Sequence, residues 1–169
     1  MLQLKNILVT GAGGQIGSSL VPKLRDFYGN SQVIATDIRQ LDPEIAESGL
    51  FELLDATDAE AVGQAVERHR VNLIYHLAAV LSATGERDPR HAWRVNMSSL
   101  EAVLEVARHQ GCAVFTPSSI GVFGSGTPKD LTPQDTLMRP TTMYGITKLA
   151  GELLCNYYHR KFGVDTRGL

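Results

Sequence analysis

A chain of 169 residues, 43% of them hydrophobic, can bury a real core and has the size of one domain. Charged residues make up 20%, the net charge is -2, and the basic residues are scattered, which argues against a nucleic-acid stripe or a polybasic membrane anchor. Apolar runs fall short of the ~18 residues a membrane span needs. "MLQLKNILVTG" reads straight into a strand, without the pattern of a leader peptide. Two cysteines, Cys112 and Cys155, are too few for a disulfide framework and point to a reducing cytoplasm.

In chain order, short apolar runs alternate with longer helical patterns. The stretches 4–10, 32–36, 50–54, 71–77, 112–117 and 164–169 read as strands. Most lack a clean period-two alternation, as strands covered on both faces of a parallel sheet do. Helices are expected at about 15–28, 58–70, 89–110 and 141–162, with Asp58 as an N-cap and Gly111 as a stop. This order predicts a doubly wound α/β fold of the Rossmann type, with a parallel sheet and helices on both faces. Residues 120–140 carry three glycines and three prolines and read as a long loop, a common place for function. The helices 89–110 and 141–162 carry more apolar residues than one face needs. The surplus calls for a cover, either a second subunit in a homodimer or further residues of the same chain.

"VTGAGGQIGSSL" follows the first strand and opens the first helix. Gly11, Gly14 and Gly17 fit G-x-x-G-x-x-G; the tighter G-x-G-x-x-G spacing fails because position 16 is Ile16. A turn of this kind, running through Gln15 and Ile16, lets main-chain N–H groups approach a pyrophosphate at a helix N-terminus. Twenty residues on, "VIATDIR" puts Asp37 at the end of the second strand, where a carboxylate can accept from an adenosine ribose and repel a 2′-phosphate. That favours NAD over NADP, with Ile38 beside the site and Arg39 as the ambiguous neighbour. Asp55 and Ala56 follow the third strand, and His76, Leu77, Ala78 and Ala79 follow the fourth. Ligands of open α/β sheets collect at these strand ends.

Tyr144 and Lys148 are an i, i+4 pair on one helix face. Ser118 and Ser119 follow the fifth strand, at the same sheet edge as the cofactor loops. A phenol titrates near 10, so acting as a base at neutral pH takes about 4 kcal/mol. An ammonium ~5 Å away supplies roughly 3 kcal/mol of that, and an oxidised nicotinamide can add more. Phenol, ammonium and a serine hydroxyl together form a general base for an alcohol proton while hydride leaves. No metal is expected: the five histidines form no cluster, and Cys155 with His159 supplies only two ligands.

"TGAGGQIG", Asp37, "HLAA", a serine after the fifth strand and Y-x-x-x-K together resemble the extended short-chain dehydrogenase/reductase superfamily. Within it, "HLAAVLSATGE", "TPSSIGVFG" and "MRPTTMYGITKLAGELLCNYY" are most similar to the short-chain-type L-threonine 3-dehydrogenases. The resemblance runs over essentially the whole chain and implies oxidation of L-threonine by NAD to 2-amino-3-oxobutanoate. It implies Tyr144 as base, Lys148 as its tuning charge and ribose contact, and Ser119 as the group that orients the hydroxyl. Ser118 and Ser82 become substrate contacts, and Asn96 joins the cofactor site through its backbone or a water. The family continues for more than about a hundred further residues, so residues 1–169 are expected to be its NAD-binding part. A sugar-nucleotide epimerase or dehydratase, or a non-catalytic NAD-binding module, are the competing readings.

Overall fold

A computed structural model describes residues 6–169, and it contains the expected parallel sheet. The strands are β1 (Ile7–Thr10), β2 (Val33–Asp37), β3 (Phe51–Leu53), β4 (Leu73–His76), β5 (Ala113–Thr116) and β6 (Thr166–Gly168). They lie in the order β3-β2-β1-β4-β5-β6, every neighbour parallel. The chain leaves β3 at one edge and returns to β4 beside β1, so the sheet is doubly wound and the strand order reverses at the β1–β4 boundary. Except for β2, which keeps five residues and is shifted by one, each observed strand is shorter than its expected stretch, because pairing stops where the chain peels off toward a helix; residues 4 and 5 of the first lie outside the described residues.

Four long helices match expectation: α1 (Gln15–Tyr28), α3 (Ala59–His69), α5 (Pro89–Gln110) and α6 (Met143–Phe162). Asp58 caps α3 by accepting from the N–H groups of Glu60 and Ala61, each at 3.0 Å. Gly111 ends α5 at φ 75, in the left-handed region that glycine reaches without cost. Two further helices, α2 (Pro43–Ala46) and α4 (Ser82–Arg87), are too short to leave a period in the sequence.

The strand alternation divides the core in two. Leu8, Ile34, Ile74 and Val114 face α3, α5 and α6, where Val62, Val66, Val103 and Leu104 complete the larger cluster. Ile7, Val9, Val33 and Ala35 face the other way, against Val21 and Leu24 of α1. Helices α5 and α6 pack on each other: the Tyr158 hydroxyl donates to Glu105 at 2.5 Å, and Gly151 lies against Leu100. On their outer surfaces Trp93, Ile146, Leu153 and Tyr157 remain 39–61% exposed, the surplus that the sequence predicts. Among the described residues no helix is long and apolar enough to cross a membrane.

Candidate active site

The glycine turn joins β1 to α1 at the reversal of strand order. Gly11 has φ +69, and a Cβ there would sit 2.6 Å from the amide nitrogen of Ala78, so the turn lies directly on the segment that follows β4. Gly14 is the N-cap of α1, with no side-chain cap and no acidic residue in the first turn. Ser18 N–H donates to the Gly14 carbonyl at 2.9 Å, so the amides of Gln15, Ile16 and Gly17 precede the first intrahelical bond. An uncapped, carboxylate-free helix start is what a pyrophosphate requires.

Asp37, at the end of β2, is buried, and its carboxylate is already engaged. Oδ2 accepts from Gly13 N–H at 3.0 Å and Oδ1 from Arg39 N–H at 3.1 Å. It ties the glycine turn to β2 and keeps lone pairs on both oxygens for a ribose. The Arg39 side chain is 75% exposed, and its Nε stays 3.7 Å from that carboxylate. Ile38 is exposed beside it. Asp55 folds its carboxylate onto Thr57, accepting from the amide at 2.9 Å and the hydroxyl at 2.8 Å. Ala56 is part of the larger core cluster.

His76 lies beneath the edge, fully enclosed. Its ring joins the Thr10 hydroxyl at 3.0 Å and the Ser99 hydroxyl at 3.3 Å, linking β1 to α5. Burial, aided by the nearby charge of Lys148, pushes it down to about 3, so the ring stays neutral and can donate on one side and accept on the other. Leu77 continues the ladder through its amide to Thr10 O at 3.1 Å. Asn96 makes three side-chain hydrogen bonds: it accepts from Val80 N–H at 2.7 Å and donates to Val80 O and the Thr147 hydroxyl at 3.1 and 3.0 Å. Its side chain latches the segment after Ala79 to α6.

A cleft of about 720 Å³ opens between the ends of β4, β5 and β6 and one face of α6. His76, Ala78, Ala79, Asn96, Ser118, Ser119 and Lys148 line it. Lys148 Nζ lies 5.6 Å from the Tyr144 ring centre and donates to the Pro117 carbonyl at 2.9 Å. Burial lowers this ammonium below the ordinary lysine range. Ser119 accepts from Gly121 N–H at 3.1 Å, which closes the 3-10 turn Ile120–Val122. A Cβ on Gly145 would run into the Gly121 carbonyl, so α6 is pressed onto this serine turn beside Tyr144. Tyr144 is half-buried beside Gly121 and is not among the cleft-lining residues. Ser82 opens α4, exposed, and is not among the cleft-lining residues.

Three contributors escaped the sequence reading. Glu86 of α4 accepts from the amide of Met143 at 2.7 Å, joining α4 to the start of the helix that carries Tyr144. Thr147 supplies the hydroxyl that Asn96 holds. Glu152 accepts from the Ser118 hydroxyl. Only Glu152 had a legible signal: it stands four residues beyond Lys148, one turn along the same helix face.

Several known proteins resemble this chain. An uncharacterized epimerase/dehydratase of Staphylococcus saprophyticus is 53% identical over 98% of this chain and 52% of its own length. An L-threonine dehydrogenase from Clostridium difficile superposes with a TM-score of 0.96 at 53% identity, covering 98% of this chain and 52% of that one. A UDP-glucose 4-epimerase from Thermotoga maritima superposes with a TM-score of 0.88 at 28% identity, covering 96% of this chain and 54% of that one. The chain thus spans about half the length of the relatives it matches. The family described as NAD dependent epimerase/dehydratase matches residues 7–169, and NAD is the cofactor that goes with that edge. The chain belongs to the NAD dependent epimerase/dehydratase family, within the extended short-chain dehydrogenases/reductases.

Proposed function

We propose that the protein takes part in NAD-dependent oxidation of L-threonine to 2-amino-3-oxobutanoate, and that residues 1–169 are its cofactor-binding part. One observation carries the reading: Tyr144, Lys148 and Ser119 stand on adjoining elements, α6 and the turn after β5, beside the edge formed by the glycine turn and Asp37. The 53% identity to a threonine dehydrogenase, against 28% to a UDP-glucose 4-epimerase, supports threonine as the substrate.

NAD, when bound, supplies the hydride acceptor. The amides at the start of α1 hold its pyrophosphate, and Asp37 accepts from its ribose. Ile38, Arg39, Asp55, Ala56, His76 to Ala79 and Asn96 complete the cofactor edge. Ser119 orients the threonine hydroxyl toward Tyr144, with Ser118 and Ser82 as further substrate contacts. Tyr144 takes the hydroxyl proton as the Cβ–H leaves with its electron pair, so the carbinol becomes a ketone. Lys148 holds positive charge near the phenol and serves the nicotinamide ribose. The exposed apolar residues of α5 and α6 are the surface of a homodimer. Two buried free thiols, Cys112 and Cys155, fit a cytoplasmic setting.

The test is NADH formation by the full-length protein given threonine, with interconversion of UDP-glucose and UDP-galactose assayed in parallel. Threonine-dependent NADH with no sugar interconversion is the expected result. Sugar interconversion alone would put the epimerase reading in its place, and neither activity would leave a binding module.

A further inference from the structure

Helix α6 presents Tyr144, Lys148 and Glu152 at i, i+4 and i+8, three successive turns of one face. The proposed chemistry uses the first two and leaves the third idle. Yet Glu152 lines the same cleft as Ser118 and Ser119, half-buried, and its carboxylate accepts the Ser118 hydroxyl proton in a hydrogen bond. Hydrogen bonds from a hydroxyl to a carboxylate are among the short, strong ones.

The segment after β5 is gripped residue by residue. The Pro117 carbonyl accepts from Lys148 at 2.9 Å. Ser118 is held twice, by Glu152 through its side chain and by the Leu169 carbonyl through its amide, at 2.6 Å. Among the described residues Ser119 has no comparable anchor: its hydroxyl accepts from Gly121 N–H and its carbonyl from Val122 N–H, both inside its own turn. The place of Ser119 is therefore set by its neighbours.

We propose that Glu152 is a positioning residue of this site. By holding Ser118 it fixes the backbone from which Ser119 projects, and with it the spacing between the Ser119 hydroxyl and Tyr144. The inference rests on the reading of Ser119 and Tyr144 as partners around the substrate hydroxyl. A direct role for Glu152, as a contact for a substrate ammonium, makes the opposite forecast. An amide at 152 keeps the hydrogen-bond acceptor and loses the charge, so Glu152→Gln separates the two.

The test has two arms. In the 169-residue protein, amide hydrogen exchange at Gly121 and Val122 needs no substrate. It should quicken at least about tenfold in Glu152→Ala and in Ser118→Ala, stay unchanged in Glu152→Gln, and quicken no further in the double variant. In the full-length protein with threonine, Glu152→Ala and Ser118→Ala should each lower kcat roughly tenfold to a hundredfold, the cost of a misplaced reacting group. In Glu152→Ala, KM and NAD affinity should stay within about threefold, and Glu152→Gln should restore kcat; Ser118→Ala, which also removes a proposed substrate contact, is read for kcat and exchange alone. Unchanged exchange, losses that multiply in the double variant, or an unchanged kcat would each overturn the proposal. A rise in KM shared by Glu152→Ala and Glu152→Gln would overturn it in favour of a substrate contact. If Glu152→Ala does not fold, Ser118→Ala carries the exchange and kcat readouts from the other side of the bond, and Glu152→Gln carries KM. Failure of the unsubstituted full-length protein to oxidise threonine would sink the proposed reaction, while the exchange arm still decides the clamp.

Discussion

The two halves of the sheet edge are built on different plans. On the β1–β2 side, the parts of the dinucleotide cradle are close in sequence: the glycine turn spans seven residues, and Asp37 reaches Gly13 across 24 positions. On the β5–α6 side, nearly every contact that fixes the catalytic groups crosses a long stretch of chain. Lys148 reaches back 31 residues to Pro117, Ser118 reaches 34 to Glu152, Asn96 reaches 51 to Thr147, and Met143 reaches 57 to Glu86. On the proposed reading, the contacts to pyrophosphate and adenosine ribose are written into one βαβ unit, whereas the chemistry depends on assembly of the whole domain. Changes on the first side should act on binding, and changes on the second on turnover.

Tyr144→Phe gives the sharpest separation. The ring keeps its packing and loses only its oxygen, so kcat of the full-length enzyme should fall by roughly 10²- to 10⁴-fold. NAD affinity measured on the same sample should change by less than about threefold; substantial remaining turnover would remove the phenol from its role. Lys148→Ala straddles the two sides. It removes a charge near the phenol, a ribose contact and the tie to Pro117, so kcat should drop about a hundredfold while NAD binding weakens as well. A loss confined to binding would show that the lysine does not serve the chemistry.

His76 joins the two sides, and its effect is on stability. Its ring is held neutral down to about pH 3, whereas an unfolded histidine takes a proton near 6.5. The unfolded state therefore binds the extra proton first, and stability present above pH 6.5 is lost as the pH falls toward 3. The shift corresponds to something on the order of 5 kcal/mol over that window. Denaturant unfolding at several pH values should show a shallower acid slope for His76→Gln than for the unsubstituted chain. Equal slopes would mean that the ring does not titrate on unfolding.

The smallest effect belongs to Asp37→Ala. Loss of the carboxylate should narrow the preference for NAD over NADP by about tenfold, equal to 1.36 kcal/mol, with little change in kcat. The Gly13 amide loses its partner in this variant, so NAD affinity itself should also weaken. A preference that survives intact would place selectivity elsewhere, with Arg39 the first candidate.

The cradle was legible in the sequence because its geometry is local. Glycine spacing, an acidic residue about twenty positions on and small residues after the fourth strand each mark a strand end of a doubly wound sheet. The pair Tyr144 and Lys148 was legible for the same reason, as one turn of one helix. The partners Glu86 and Thr147 were not, because nothing in a linear pattern says which distant side chain meets α6. Asn96 shows the limit from the other direction. As a residue it stands out, but its three hydrogen bonds to Val80 and Thr147 exist only once the fold has closed. The helices α2 and α4 were missed because four and six residues hold too little periodicity to see.

The β1–β2 edge, read as the dinucleotide cradle, should bind NAD selectively within these 169 residues. Calorimetric titration of the mass-verified 169-residue protein with NAD, and then with NADP, tests it most directly. Saturable binding of NAD at one site per chain is expected, with NADP at least about tenfold weaker because Asp37 meets the added phosphate with like charge. Absence of NAD binding would show that the edge is not self-sufficient, and equal or tighter binding of NADP would contradict the placement of Asp37.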